Sequence, residues 1–429
     1  MTLSPRWRSG AIIAISLLIF SGGLRAGDWP GFQGPSRDGT SKETGLRRSF
    51  PDAGPEVLWT VELGPGFGGA AVAGGEVFLF DRILSEQDVL RCLDLKTGQE
   101  LWRYAYEAPG RLNYAGSRGV PAVTEDRIYN IGGFGQVCCV DRETHQLVWS
   151  VDLREEYDTD PPRWGYAQSP LVFEDLLLVT PLGDDHGVVA LDRETGEEVW
   201  RSRGLGTSHS TPALLQLNGV LQLLMVTAGR TTSFDPRTGR ELWNTRALEC
   251  SIPIPAPVRI DDERVFLTGG YGAGSALIDM QGSGDELKPY TAWKIARGSQ
   301  VHPPLLIGKH LYLMANENDN HSPRKRSEGG LLCLDLEGQE QWRTGDSPYF
   351  GRGSMIYADG MLIIQDGFNG VLRLVEPSPE GFRPLAEANL FGITDTKDHE
   401  LWGPLALSEG RLLMRGKEQL KCVDLSEPK

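Results

Sequence analysis

Apolar and polar positions alternate along this chain in short runs broken by Gly, Pro, Asn and Asp, and they rarely recur at the three-and-four spacing of an amphipathic helix. Residues 120–153 carry the pattern most plainly. Pro121-Ala122-Val123 begins one strand, Thr124-Glu125-Asp126 turns, and residues 127–131 alternate as a second strand. Residues 132–135 turn again, 137–141 form a third strand, 142–145 a tight turn, and 146–151 a fourth strand. Four short antiparallel strands of this kind hold too little apolar surface to fold alone, so such units must stack side by side.

The unit recurs. An aspartate, a Thr-Gly turn and a tryptophan eight residues after the aspartate occur as Asp94, Thr97, Gly98 and Trp102, and again as Asp192, Thr195, Gly196 and Trp200. Further copies are Asp141, Thr144 and Trp149, and Asp235, Thr238, Gly239 and Trp243. Weaker ones stand at Asp279 with Trp293, Asp335 with Trp342, Glu376 without a tryptophan, and Asp424. Asp94 to Asp424 is seven steps of about 47 residues, the length of a four-stranded propeller blade rather than of a helical repeat. Inner strands begin near Ala70, Pro121, Pro170, Pro212, Pro257, Pro304, Met355 and Pro404, which predicts an all-β chain folded as a single eight-bladed β-propeller of four-stranded antiparallel blades. The eighth unit has only three strands, ending at Val423-Asp424-Leu425. Residues 57–61 supply its outer strand, so N- and C-terminal strands pair to close the ring.

Seven tryptophans, Trp59, Trp102, Trp149, Trp200, Trp243, Trp293 and Trp342, are thereby assigned to docking one blade on the next. A ring of this size buries about 150–250 Å², or roughly 4–6 kcal/mol of gross hydrophobic free energy. The motif glycine takes a left-handed φ, and the Asp and Thr side chains cap nearby N–H groups. His145, in the glycine position of the second copy, predicts a locally altered turn. Cys92, Cys139, Cys333 and Cys422 share one position just ahead of the motif aspartate, where other copies carry Ala190 or Ser233, so they read as small buried residues rather than metal ligands or half-cystines.

Composition agrees: 53 Gly and 27 Pro with 24% charged residues suit many short elements joined by turns. The formal charge is −15, and −18 without Arg6, Arg8 and Arg25, so nucleic acid and anionic lipid are excluded as partners. Those three arginines flank an apolar run at residues 11–20 that ends in Leu24-Arg25-Ala26, a secretory signal peptide by pattern. Ten apolar residues reach only about 15 Å as a helix, half the hydrocarbon core, so no transmembrane span is expected. No Cys follows the cleavage point to take a lipid anchor. The expected plan is a signal peptide at 1–26, an arm at 27–55 and the propeller at 56–429, exported to the periplasm or beyond as a monomer.

The string Ala190-Leu191-Asp192-Arg193-Glu194-Thr195-Gly196-Glu197-Glu198-Val199-Trp200 matches the tryptophan-docking motif of pyrroloquinoline quinone (PQQ) dehydrogenase propellers, and degenerate copies run from Trp59 to Leu425. The chain thus resembles the PQQ-like repeat family, which includes quinoprotein alcohol dehydrogenases and the non-enzymatic outer-membrane assembly protein BamB. Its opening Asp28-Trp29-Pro30-Gly31-Phe32-Gln33-Gly34-Pro35-Ser36-Arg37-Asp38-Gly39 resembles the arm that precedes such propellers in secreted bacterial members. The docking motif speaks for the fold and not for the cofactor, because it forms the girdle and touches no substrate. For an enzyme, the resemblance implies PQQ on the axis, Ca²⁺ held by Glu, Asn and Asp, an Asp base, and often a vicinal disulfide. Cys138 and Cys139 are adjacent here, but Cys139 is the ordinary repeat cysteine, and a vicinal disulfide would distort a strand whose neighbouring side chains face opposite ways.

On this reading no catalytic residue, metal ligand or resident cofactor is assigned. The expected function is a non-catalytic binding or scaffold module of the cell envelope, taking a protein partner or a small anionic ligand. Two alternatives stand beside it: a quinoprotein alcohol or sugar dehydrogenase using PQQ and Ca²⁺, and carbohydrate binding through Tyr166 and Trp402.

A site is expected where the long connections gather, on the face shared by loops entering the inner strands and loops joining strands two and three: residues 104–119, 153–166 and 316–330. Phe67, Arg118, Tyr166, Gln168, His209, His302, Arg352 and Trp402 precede the inner strands and should ring the opening, where two Arg, two His and three aromatics suit an anionic, partly aromatic ligand. Other motifs fail on context. Gly64-Pro65-Gly66-Phe67-Gly68-Gly69 fits G-x-G-x-x-G but precedes a strand, so no helix N-terminus awaits a phosphate. Asn316, Asn318 and Asn320 alternate like a calcium loop, but His321 and Ser327 replace its Gly and Glu, and Arg324-Lys325-Arg326 would oppose a cation. Glu155, Glu156, Asp158 and Asp160 read as a solvated loop rather than paired acid and base.

Overall fold

The computed structural model describes residues 27–428 apart from 184, 185, 283, 317–327 and 396. The leader at 1–26, Asn318, Asn320 and the run Arg324-Lys325-Arg326 therefore lie outside the described residues. Eight four-stranded antiparallel sheets follow one another in chain order, and seven of them are built from consecutive strands. In the eighth, Val57–Glu62 lies outermost beside Gln419–Asp424, with Trp59 opposite Cys422 and Thr60 opposite Lys421. The ring closes as the truncated last repeat requires, the N-terminal strand completing the eighth sheet.

The repeated tryptophan sits opposite the small residue of the third strand: Cys92 with Trp102, Cys139 with Trp149, Ala190 with Trp200, Ser233 with Trp243 and Cys333 with Trp342. In each of these pairs a bulge follows at once, which bends the outer strand around the indole. At Trp59, Trp149, Trp200, Trp293 and Trp342 the indole then donates to a backbone carbonyl of the next blade, whereas Trp243 Nε1 donates to Gln222 Oε1 of its own blade. Trp59 Nε1 donates to the Leu95 carbonyl at 2.9 Å, Trp149 to Arg193 at 3.0 Å, and Trp293 to Leu336 at 2.9 Å. A Cβ on Gly98, Gly196 or Gly338 would lie 2.6–2.8 Å from the ring carbons of Trp59, Trp149 or Trp293. The motif glycine is thus needed twice, for its φ and as the flat seat of a neighbour's indole.

His145 departs from the sequence expectation. Its φ is +59°, and its N–H bonds the Asp141 carbonyl at 2.9 Å, as Gly98 bonds Asp94 at 2.8 Å, so the turn is unaltered. What changes is the docking: the imidazole stacks on Trp102 at 4.5 Å and 14°, and Trp102 Nε1 finds no acceptor. The aspartates act as foreseen. Asp141 Oδ1 accepts from Glu143 N, Thr144 N and Thr144 Oγ1, and these bonds, the Thr144 amide first, hold its carboxyl below the usual range. All six cysteines are buried free thiols, Cys138 and Cys139 among them.

The glycines at 64–69 form a seam at the ring closure. A Cβ on Gly69 would press on Pro404 at 2.6 Å, and Cβ atoms on Gly64, Gly66 and Gly68 would collide with the Arg82 carbonyl, the Arg415 guanidinium and the Gly119 carbonyl. Arg415, from the last blade, is buried there and donates to the carbonyls of Gly68 at 3.1 Å, Phe80 at 3.3 Å and Gly64 at 3.2 Å. Four glycines let the first and last blades close around one buried guanidinium.

Ahead of the closing strand, the segment from Trp29 to Arg47 straps the opposite end of the axis. Trp29 pairs with Val72 of the first blade, Val123 N bonds the Pro30 carbonyl, and Arg37 reaches the Val172 carbonyl of the third blade. Thr40 then pairs with Tyr357 of the seventh blade and Leu46 with Ser426 beyond the eighth.

Candidate functional site

On the long-loop face the axis opens into a cavity of about 730 Å³. Two of the expected loops build its rim. The strand Glu100–Glu107 runs on before its loop begins, and the second loop opens with a short helix, Leu153–Tyr157, capped by Asp152. Of the eight residues foreseen at the rim, Phe67, Arg118, His209, His302, Arg352 and Trp402 line the cavity. Tyr166 and Gln168 do not. Tyr166 is 1% exposed, packs in a blade core and donates its hydroxyl to the Pro181 carbonyl; Gln168 is buried and donates Nε2 to the Ser208 carbonyl. The irregular approach to the third inner strand puts Trp164, Ala167 and Ser169 on the wall instead. A sugar platform built on Tyr166 is thereby removed.

Aromatic rings frame one side. Phe67 stacks on Trp402 at 5.1 Å and 23°, Tyr114 lies 5.7 Å from Trp402, and the Arg352 guanidinium sits over the Trp402 ring at 4.5 Å. Arg352 Nε donates to Gln300 Oε1 at 2.7 Å, and Nη1 meets Asp398 at 3.3 Å. Arg118 is placed differently: its guanidinium donates to the carbonyls of Gly116 and Tyr114, and among the described residues no carboxylate pairs with it. Burial, then the nearby Arg82, lowers it to about 10, so it remains a cation at neutral pH.

The two histidines contribute no charge there. Burial lowers both to about 4, with Arg118 adding to the effect at His209. His302 Nε2 lies 2.8 Å from the Trp402 carbonyl; a carbonyl only accepts, so Nε2 carries the proton. The positive character of the cavity thus rests on arginine alone. Sequence reasoning missed Phe32, Asn113, Tyr114, Trp164, Tyr271 and Gln300 on the wall. Tyr114 and Trp164 stood in loops already marked as long, and Tyr271 stands at a hairpin tip between Gly270 and Gly272.

The donors do not suit a Ca²⁺-assisted quinone. That ion requires several hard oxygen ligands, and the described lining holds Asn113 but no Asp or Glu. Nor, among the described residues, do three His, Cys, Asp or Glu side chains gather anywhere in a metal-binding group. Cys138 and Cys139, both raised to about 12 by burial first, are thiols packed within the sheet and away from the cavity wall.

The family profile described as "Outer membrane protein assembly factor BamB" matches residues 85–344, more than half of the chain. A quinoprotein ethanol dehydrogenase of Pseudomonas putida is 31% identical over 121 residues, covering 25% of this chain and 19% of that protein. The outer membrane protein assembly factor BamB of Marinobacter adhaerens is 30% identical over 153 residues, covering 35% of this chain and 34% of that protein. The matched stretches thus span about a fifth and a third of those relatives. Among solved structures, the quinohemoprotein alcohol dehydrogenase from Comamonas testosteroni superposes with a TM-score of 0.66 over 95% of this chain and 82% of that one, at 15% identity, a likeness of fold.

Proposed function

The chain belongs to the PQQ-like repeat family whose profile carries the name of outer membrane protein assembly factor BamB, and from that premise we propose that it is an exported, non-catalytic binding module of the cell envelope. Its ligand is a small anion with aromatic character, held in the axial cavity on the long-loop face. The observation that carries this reading is Arg118, a half-buried guanidinium with no carboxylate in ion-pair contact among the described residues, Asp88 acting on it only from farther off, in an aromatic cavity whose described lining is free of carboxylates. Arg352 over Trp402 supplies a second cation beside a flat ring. Export rests on the leader pattern at residues 1–26 and on the assembly-factor name of the relative; that name also favours an envelope protein as the partner the propeller presents its ligand to.

Calorimetric titration with PQQ, itself an aromatic polycarboxylate, tests the reading with and without Ca²⁺, followed by dye-linked alcohol and aldose oxidation on the same sample. Binding that is indifferent to Ca²⁺, weakened by Arg118→Met and without turnover is expected. Ca²⁺-dependent binding with turnover would make the protein a quinoprotein dehydrogenase.

A further inference from the structure

The floor of the axial cavity comes partly from outside the propeller blades. Phe32, in the arm that precedes the closing strand, lines the upper cavity and also a second void of about 690 Å³ at the Thr-Gly-turn end of the axis. Apart from Phe32, the residue common to both voids is Thr211.

The backbone on each side of Phe32 is fixed. Trp29 N and O both bond Val72, at 2.9 and 2.7 Å, and the Pro30 carbonyl accepts from Val123 N at 2.8 Å. A Cβ on Gly31 would make ordinary contact with the Pro121 carbonyl at 3.5 Å, and one on Gly34 would press on the strap's own Trp29 at 2.9 Å, so the strap lies along the second inner strand and folds back on its tryptophan. Beyond Phe32, Gly39 N bonds the Gln33 carbonyl at 3.0 Å and Arg37 reaches Val172 at 2.7 Å. The ring itself packs beside the apolar core between the first two blades. The phenyl, anchored at both flanks, stands with Thr211 between the two voids.

We propose that the arm is part of the binding site, and that Phe32 sets how far a ligand can reach along the axis. The upper cavity is then a blind pocket entered from the long-loop face, and it selects aromatic anions short enough to stop at that ring. This inference rests on the proposed binding function.

The test uses two dyes of the right chemistry, the aromatic sulfonate 1-anilinonaphthalene-8-sulfonate and its longer covalent dimer, titrated into the wild type, Arg118→Met, Phe32→Leu and Phe32→Ala. Arg118→Met should weaken the short dye about tenfold. Phe32→Ala should strengthen the dimer by about tenfold or more while leaving the short dye within about threefold, with Phe32→Leu between. Equal changes for both dyes, or none, would overturn the assignment of Phe32. Should Phe32→Ala not fold, the conservative Phe32→Leu carries the comparison. If the wild type binds the short dye with no sensitivity to Arg118, the binding function itself fails. A crystal structure of the Phe32 variant still decides the partition: one continuous void supports it, and two separate voids refute it.

Discussion

Gly196 and Gly219 share a φ of +76°, yet a Cβ on Gly219 would meet nothing within 4 Å, whereas one on Gly196 would lie 2.7 Å from the Trp149 ring. Alanine at either position incurs the left-handed penalty of about 1–2 kcal/mol, offset by about 0.4–1 kcal/mol from the stiffer unfolded chain. Gly219→Ala should therefore destabilise by about 1 kcal/mol, and by no more than about 1.6 kcal/mol. Gly196→Ala must in addition push the indole back by about 1 Å to restore ordinary contact, breaking the 3.0 Å bond from Nε1 to the Arg193 carbonyl. That bond contributes about 1 kcal/mol, and losing a third to a half of the ring's roughly 4–6 kcal/mol of burial adds about 2 kcal/mol. The extra cost at Gly196 is thus about 3 kcal/mol. Urea unfolding followed by far-ultraviolet circular dichroism reads both variants. The decisive step is the double mutant. Once Trp149→Ala has emptied the seat, Gly196→Ala should cost no more than Gly219→Ala. Equal costs for the two glycines in the native background, or an excess that persists without Trp149, would refute the view that the motif glycine is kept for the neighbouring blade.

Trp200→Ala should destabilise by about 3–5 kcal/mol, while Arg118→Ala leaves the melting temperature nearly unchanged; the reverse order in thermal unfolding would exchange girdle and rim. The histidines bind protons more weakly in the folded protein, at about 4, than in the unfolded chain, at about 6.5. Their contribution is complete above about pH 6.5 and is lost as the pH falls toward 4, by about 3 kcal/mol per group, so urea midpoints should drop across that window and His302→Gln should flatten the drop. The carboxyls of Asp141 and Asp192, held low first by the Thr144 and Thr195 amides, add a separate loss below about pH 4. A flat midpoint between pH 7 and 4.5 would contradict the buried neutral imidazoles. Native protein should resist thiol reagents, and all six cysteines should titrate after unfolding without reductant, because every sulfur is buried and unpaired; fewer than six would reveal a disulfide.

The propeller was legible because its determinants are local and repeated. Aspartate, glycine and tryptophan recur at fixed spacing, and the occurrences share turn and bulge while the indole N–H bonds the next blade except at Trp102 and Trp243. The missing outer strand of the last repeat and the surplus Trp59 at the front were two halves of one pattern, so ring closure followed without knowledge of any distant contact. Where the cause was not local, reading failed. The glycine was explained by φ alone, since nothing in one repeat says that an indole from the preceding one will lie on it. His145 was misread for the same reason: it keeps the turn and answers to Trp102 in another blade.

The site was legible in place more than in detail. Six of the eight foreseen residues do converge, since the entry to each inner strand faces the axis by construction of the fold. The two exceptions share one stretch, where the chain before Leu171 is not extended strand, and an alternation argument has no phase there: Tyr166 and Gln168 turn into the protein while Ala167 and Ser169 face the cavity. The charge was misjudged because burial decides it, and burial is invisible in residue type; His209 and His302 count as neutral only once the rings are known to be enclosed. The floor was not foreseen at all. Phe32 stands within a segment that reads as a leading arm, and only the crossing of that arm beneath the ring, from Val72 to Tyr357, turns a surface extension into a wall of the cavity. The arm obeys no repeat, so unlike the inner strands it carries no blade-to-blade constraint on the residue it places at the axis.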